Sequence, residues 1–162
     1  MPTRFKESAV SRAFVKETDV VDDLPDRLVS ARRNLVTPQG MAAIDAELGK
    51  LEAELLAAAT SPEQRRVVLR DQRYWLARRA SAEVVVASRS TETVRFGATV
   101  TISGPGGVER MWRIVGEDEA NPAEGTIAYS APLAQNLLGR TIGDTVMAGQ
   151  NQATIVAIEQ TG

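Results

Sequence analysis

Residues 94–144 constrain the fold more than any other stretch, because strand, turn and helix signals follow one another there. Apolar side chains alternate with polar or small ones at the start of this stretch; they are Val94, Phe96, Ala98, Val100 and Ile102. Such alternation is typical of a strand with one buried face. The glycine-rich turn at 104–107 predicts a hairpin into a second strand at 108–115, and a third strand is expected at 126–129. The second strand would place Met111 or Trp112, together with Ile114, in the core.

A short helix is predicted directly after the third strand. Ser130 can cap its free N–H groups, Pro132 fits its first turn, and Gly139 ends it. Two further strands are predicted at 144–148 and 153–159. The C-terminal half is therefore predicted to form a small α+β domain.

Residues 36–85 predict an antiparallel coiled-coil hairpin. Thr37 and Pro38 signal a helix start. Apolar residues then recur at spacings of three and four, the pattern of a coiled-coil seam; they are Met41, Ile44, Leu48, Leu51, Leu55 and Ala58. A second helix start follows at Thr60-Ser61-Pro62, with Glu63 and Gln64 available to complete a capping box. Because the connection is so short, the two helices should be antiparallel neighbours.

The second helix supplies the other side of the predicted seam. Its apolar residues are Val68, Leu69, Trp75, Leu76, Ala80 and Ala82, with Gln72 and Arg79 as interruptions. Residues 41–59 carry one lysine against four carboxylates, whereas residues 63–83 carry six arginines against three carboxylates. Opposite charges beside the seam favour the pairing. The arginines can alternatively cover a solvated face, and both interpretations can hold.

Composition excludes several kinds of chemistry. The chain has no cysteine and no histidine, so it cannot form a disulfide, a thiolate nucleophile or an imidazole base. A net charge of −2 gives no sign of direct sequence-specific nucleic-acid binding. No apolar run or leader-like segment predicts membrane insertion or secretion, so a cytoplasmic protein is expected. We also expect no metal, no cofactor and no enzymatic activity.

Four motifs in the C-terminal half resemble the C-terminal domain of the GreA/GreB family of bacterial transcription elongation factors. They are F-G-A-T-V, R-I-V-G-E-D-E-A, S-A-P-L-A-x-x-L-L-G and x-G-D-x-V. The resemblance implies an FKBP-like domain at 93–162, an antiparallel sheet with one short helix, that docks at the rim of the secondary channel of RNA polymerase. By the same resemblance, the docking corner comprises Ala128, Tyr129, Ser130, Ala131, Pro132 and Leu133. Ser130 stands where Gre proteins often carry an aspartate.

The hairpin tip departs from the family's pattern. Gre factors carry a G-D-x-x-E-N type of motif there, whose carboxylates help to hold magnesium in the polymerase so that backtracked RNA is cleaved. The corresponding tip here consists of Thr60, Ser61, Pro62 and Glu63, and Glu63 is assigned to the capping box. Helices of about 22 residues span roughly 33 Å, so this tip should fall roughly 15 Å short of the family's. The leading hypothesis is therefore a factor that binds the polymerase without stimulating cleavage.

Two alternatives stay open. One is a cleavage-stimulating factor of the usual Gre type, and the other is a peptidyl-prolyl isomerase suggested by the FKBP-like fold. An isomerase needs an aromatic-lined pocket, for which the domain offers Phe96, Trp112 and Tyr129. Trp75 and Trp112 are expected to pack in the seam or the core.

Two charged segments complete the sequence-based expectations. The acidic run at 117–119 is expected to form a solvated loop, and contact with a basic partner surface or a metal is the alternative. Residues 1–35 lack sustained periodicity and predict a flexible arm. The arm's S-R-A-F-V-K-E string resembles N-terminal extensions of some GreB-like proteins.

Overall fold

A computed structural model describes residues 23–57 and 59–160 of the chain. It consists of a helical hairpin followed by a five-stranded sheet with one short helix, which confirms the predicted α+β class. The helices are α1 (Pro38–Leu56), α2 (Pro62–Ser81) and α3 (Pro132–Leu137). The strands are β1 (Asn34–Val36), β2 (Ala82–Val84), β3 (Ala98–Ser103), β4 (Glu109–Val115), β5 (Thr126–Ala128), β6 (Thr145–Ala148) and β7 (Asn151–Gln160). Among the described residues, no helix has both the length and the apolarity needed to cross a membrane.

The sheet is mixed, whereas the sequence predicts a fully antiparallel one. Its strand order is β5-β4-β3-β7-β6, and every neighbouring pair is antiparallel except β4 and β5. The chain leaves β4 at Val115, passes through two short 3₁₀ turns, and re-enters the sheet with Thr126 beside Arg113. This return connection makes β5 run in the same direction as β4. A tight hairpin turn would have produced an antiparallel partner.

The first strand of the domain begins later than the alternation predicts. Val94 and Phe96 are buried, but β3 starts at Ala98. Gly97, which lies between Phe96 and the start of β3, has a φ of 86°, a backbone conformation that favours glycine. Val94 instead exchanges backbone hydrogen bonds with the segment after α3, since its N–H donates to the carbonyl of Arg140 at 2.8 Å. The alternation thus identifies the buried side chains correctly and the extent of the strand incorrectly.

The core of the domain lies between α3 and one face of the sheet. It comprises Val94, Phe96, Ala98, Val100, Ile102, Ile114, Ile127, Ala134, Leu137, Val146, Ala153, Ile155 and Ile158. Trp112 packs against this cluster, while Met111 is exposed, so Trp112 is the core member of the predicted pair.

The hairpin seam follows the prediction on α1 and departs from it on α2. Ile44 and Leu51 on α1 and Val68 on α2 are all buried. Met41, Leu48 and Leu55 are partly buried, and Ala58 lies outside the described residues. Leu76 is 51% exposed and Ala80 is also exposed, so neither belongs to the seam.

The reason for this difference is helical geometry. Each residue is rotated by about 100° from the one before it, and Leu76 is therefore turned away from the side that Trp75 shares with the seam. Arg78, three residues after Trp75, lies on the inner side and is only 2% exposed. Arg79 points outward and bridges the two helices, with its Nε 2.6 Å from Asp45.

The base of the hairpin is closed by a two-stranded parallel sheet of β1 and β2. Asn34 and Leu35 belong to β1, so the arm predicted for residues 1–35 ends earlier than expected. The Asn34 side chain is buried and donates to the carbonyl of Arg78 at 2.7 Å. Residues 23–33 form neither helix nor strand, and residues 1–22, with the S-R-A-F-V-K-E string, lie outside the described residues.

Candidate docking site and the joint beneath it

The acidic loop at 117–119 connects the domain to the hairpin. Its three residues form a 3₁₀ turn between β4 and β5, and all three are partly buried. The expectation of a solvated loop is therefore wrong, because hairpin and docking-corner side chains hold each carboxylate. The described residues contain no cluster of three or more histidine, cysteine or acidic side chains suited to a metal ion. We call the resulting network the joint; its members are Thr37, Tyr74, Arg78, Glu117, Asp118 and Glu119.

Glu119 holds the start of α1. One carboxylate oxygen accepts hydrogen bonds from the backbone N–H groups of Thr37 and Gly116, both at 3.0 Å. The other accepts the hydroxyl proton of Thr37, whose oxygen in turn caps the helix by accepting from the N–H of Gly40 at 3.0 Å. Free N–H groups and the helix dipole favour a negative charge at this end of a helix. The carboxylate thereby fixes the first turn of α1 to the domain.

Gly40 should be essential to this contact. A Cβ atom at Gly40 would collide with the carboxylate of Glu119, so Gly40→Ala should lower the free energy of unfolding by about 1–3 kcal/mol. Gly49 lies in the same helix, and a Cβ atom there would have no neighbour within 4 Å, so Gly49→Ala should raise it by roughly 0.5–1 kcal/mol. Urea denaturation of both variants measures the difference. Equal stabilities would show that Glu119 does not sit on this helix turn.

Arg78 holds the end of α2. Its Nε lies 2.5 Å from one carboxylate oxygen of Asp118, and its Nη2 lies 3.8 Å from Glu117. The hydroxyl of Tyr74, one turn earlier, donates to the other oxygen of Asp118 at 2.5 Å. A buried guanidinium requires such partners, because desolvation of an unpaired charge is very costly. The loop thus contacts the start of one helix and the last turns of the other.

Tyr74 is held in its neutral form within the joint. Burial of the phenol and its hydrogen bond to Asp118 raise the pKa of Tyr74 to about 12, although nearby Arg78 and Arg27 act in the opposite direction. Because the pKa lies far above neutrality, the hydroxyl retains its proton and can donate to Asp118 throughout the physiological pH range.

The predicted docking corner sits directly on the joint. Ser130 donates its hydroxyl proton to Glu117 at 2.8 Å, which connects the corner to Arg78 through one carboxylate. The hydroxyl of Tyr129 donates to the carbonyl of Arg33 at 2.5 Å, and its ring meets Phe96 edge to face. An aspartate in place of Ser130 would face Glu117 directly, so a serine at this position suits the joint.

The outer surface of the corner is formed by the start of α3. Pro132 occupies the first helical position and is exposed, whereas Ala131 and Leu133 are partly buried against the core. Ala128 ends β5, and the side chain of Gln135 donates to the carbonyl of Tyr129 at 2.7 Å. The six predicted residues therefore form one ordered corner, in which Pro132 is the clearest point of access. Their role in docking stays a prediction.

The predicted hairpin tip lies at the far end of α2 from the joint. Ser61 caps α2 and exchanges hydrogen bonds with Gln64, each at 3.2 Å, so Gln64 completes the capping box. The assignment of this role to Glu63 is wrong, because Glu63 stands one position too early in the helix. Thr60 satisfies the end of α1 by donating to the carbonyl of Glu54 at 2.7 Å.

The aromatic side chains of the domain do not surround a cavity among the described residues. Phe96 is buried, Trp112 packs on the core, and Tyr129 is bound to Arg33. A surface pocket of about 360 Å³ lies near the 104–108 turn. Its lining is Ile102, Gly104, Pro105, Val108, Arg110, Ala148, Asn151, Gln152 and Ala153, and none of these is aromatic. This arrangement gives no support to a prolyl-isomerase pocket.

Comparison with known proteins relates part of the chain to bacterial transcription elongation factors. Residues 89–160 match the family model described as "Transcription elongation factor, GreA/GreB, C-term". A transcription elongation factor GreA from Bradyrhizobium sp. is 44% identical over 69 residues, which cover 41% of this chain and 44% of that protein, so this match spans less than half the length of either. A transcription elongation factor GreA from Ruegeria pomeroyi is 28% identical over 149 residues, covering 76% of this chain and 96% of that protein.

Solved structures similar to this chain are more distant. The GreA factor homolog 1 (Gfh1) of Thermus thermophilus has a TM-score of 0.40 and 19% identity, with 79% of this chain and 99% of that chain covered. A GreA/GreB elongation factor from Nitrosomonas europaea has a TM-score of 0.39 and 18% identity, with 77% and 98% covered. The family match thus shows that residues 89–160 are similar to the C-terminal domain of GreA/GreB transcription elongation factors, and both relatives described above are GreA factors.

Proposed function

We propose that this chain is a transcription elongation factor that binds RNA polymerase through the docking corner and does not stimulate transcript cleavage. The observation that carries the proposal is the S-A-P-L segment, which lies within the family match and forms an ordered corner with Pro132 exposed. Two relatives of the chain are named as transcription elongation factors. In this proposal the partner is the polymerase and the chain itself performs no catalytic step.

The hairpin supports the second half of the proposal. With 19 and 20 residues, α1 and α2 extend only about 28 and 30 Å at 1.5 Å per residue. The turn between them carries hydroxyl and proline residues, and their polar groups are used to cap the two helices. A pair of carboxylates positioned for a divalent cation is the feature that cleavage stimulation requires. Glu54 and Glu63 line one pocket beside the turn, but the turn itself, residues 57–61, contains no carboxylate.

The joint supports the proposal because it fixes the position of the hairpin relative to the docking corner. One short loop binds the first turn of α1 through Glu119 and the last turns of α2 through Asp118. The hairpin is consequently fixed relative to the corner that would contact the polymerase. A factor built in this way would place a short hairpin at the mouth of the channel and could obstruct longer factors or alter nucleotide entry.

A charge placed on the corner tests the docking step. Pro132→Arg changes an exposed position outside the joint and should weaken polymerase binding by about tenfold or more, as expected for a residue at the centre of an interface. Ser130 is a poor probe, because its replacement also disturbs Glu117. Binding is measured by pull-down and by titration of labelled protein with core polymerase.

Val108→Arg provides the matched control. Val108 is also exposed, but it precedes β4, at the opposite end from the corner and roughly 23 Å away along the strand. This variant should bind the polymerase like the parent protein. Unchanged binding by Pro132→Arg, with loss in Val108→Arg, would move the interface to the other end of the sheet.

A further inference from the structure

Residues 23–33 lie alongside α2 before the chain enters β1. They form neither helix nor strand, and their direction follows α2 from Arg73 towards Glu83. We call this segment the strap. Its last residue, Arg33, pairs with Glu83 at 2.5 Å and lowers the pKa of that carboxyl. The sequence predicts that the strap is part of a flexible arm, yet it makes a specific set of contacts.

The acidic end of the strap is bound by one guanidinium. The Nε of Arg73 lies 2.7 Å from Asp26, and its Nη1 lies 3.6 Å from Asp23. The Nη2 of the same side chain donates to the carbonyl of Leu24 at 3.3 Å. Arg73 therefore contacts two carboxylates, three residues apart, and the backbone between them. The proline at position 25 favours the extended conformation that this spacing requires.

The next strap residue brings a positive charge to a different set of groups. The guanidinium of Arg27 lies 3.9 Å from the centre of the Tyr74 ring and 5.9 Å from that of Trp75. Its Nη1 is 3.6 Å from Asp71. Cation–π attraction and an ion pair thus act on the same side chain. The face of α2 presents a site for a cation directly beside the site for two anions.

Charge, and little else, holds the strap in place. Leu28 is 97% exposed, and the strap residues other than Leu24 are exposed, so almost no apolar surface is buried. Exposed ion pairs are individually weak and are screened by salt. The strap is nevertheless retained because its connection to β1 keeps it at a high local concentration. A ligand with the same chemistry could therefore exchange with it.

We propose that the face of α2 formed by Asp71, Arg73, Tyr74 and Trp75 binds an extended acid-x-x-acid-base segment of a protein partner, and that the strap occupies this face in its absence. The chain's own D-L-P-D-R sequence at 23–27 defines the ligand chemistry. A protein segment fits better than a nucleic acid, because Asp71, which also pairs with Arg70 at 2.9 Å, repels phosphate and attracts the cation of an acid-x-x-acid-base segment. This inference is independent of the docking corner, which lies on the domain.

The test uses the full-length chain with a released strap. The Asp23→Asn, Asp26→Asn, Arg27→Gln variant removes the three strap charges that contact the α2 face and leaves that face unchanged. A fluorescein-labelled peptide, D-L-P-D-R-L, should bind this variant about tenfold more tightly than the parent at low salt, because no tethered competitor remains. Adding Arg73→Gln should abolish that binding. A peptide with both aspartates replaced by asparagine is the matched control.

A second measurement uses the parent protein. Titration with millimolar D-L-P-D-R-L should shift the indole N–H resonance of Trp75 and leave that of Trp112, in the domain, unchanged. No peptide binding to the released variant, or binding that survives Arg73→Gln, overturns the proposal. Tighter binding of a single-stranded RNA of equal charge than of the peptide would assign the face to nucleic acid and also overturn it.

Discussion

Arg78→Met should lower the free energy of unfolding by about 3–5 kcal/mol. The guanidinium is 2% exposed and neutralises Asp118, with Glu117 close by. Methionine fills much of the same volume but supplies no charge and no hydrogen-bond donor. Two partly buried carboxylates then lose the cation that they share, and breaking a buried pair from one side typically costs this much. Urea denaturation followed by circular dichroism measures the change.

The neighbouring arginine is the control for this prediction. Arg79 pairs with Asp45 on the exposed side of the hairpin, where both side chains are about half exposed. Arg79→Met should therefore change stability by about 1 kcal/mol or less. If the two variants lost equal stability, the burial of Arg78 would be refuted. Adding Asp118→Asn to Arg78→Met should restore part of the loss, because it removes one uncompensated charge.

The joint was the part of the molecule least accessible to sequence reasoning. Apolar periodicity located the core strands, and the helix-start signals located both helices, because these features depend on neighbours close in the chain. Arg78 looked like five other arginines of the same helix. Its burial depends on Asp118, forty residues away, and only the tertiary fold brings the two together. The one local signal was its position three residues after Trp75, on the inner side of the helix.

The burial of the acidic loop at 117–119 was also hidden from sequence reasoning, because its partners are distant in the chain. A run of three carboxylates normally predicts a solvated segment. Here the helix N-terminus at Thr37 and the guanidinium of Arg78 supply compensation that the local sequence does not reveal. The sequence also did not reveal that β5 is parallel to β4. The connection between the two strands runs back along the sheet before β5 begins, and no local signal predicts that path. The corner that is predicted to dock, in contrast, was proposed from a motif, and in the structure Ser130 connects it to the joint.

Addition of this protein to a backtracked elongation complex should leave the rate of RNA cleavage at its intrinsic value. Cleavage stimulation depends on carboxylates that hold a divalent cation and stabilise the charge developing in the transition state. Loss of such groups typically costs roughly 10²-fold or more in rate. The tip offers Glu63 without a second carboxylate of the G-D-x-x-E-N type, and Ser61 and Gln64 cap α2. The measurement uses labelled RNA, magnesium and a Gre factor with an acidic tip as the positive control.

Distance reinforces the expectation from chemistry. Metal–oxygen coordination extends only about 2–3 Å, so a tip that ends several ångströms short of the metal contributes nothing to its binding. A hairpin of about 30 Å is shorter by roughly ten residues per helix than the Gre hairpins that this family resemblance implies. Glu63→Ala should accordingly have no effect on cleavage, whereas the protein should still slow cleavage by the positive control if both occupy the same rim. Cleavage accelerated by this protein and lost in Glu63→Ala would show instead that the short tip reaches the active centre and that one carboxylate suffices there.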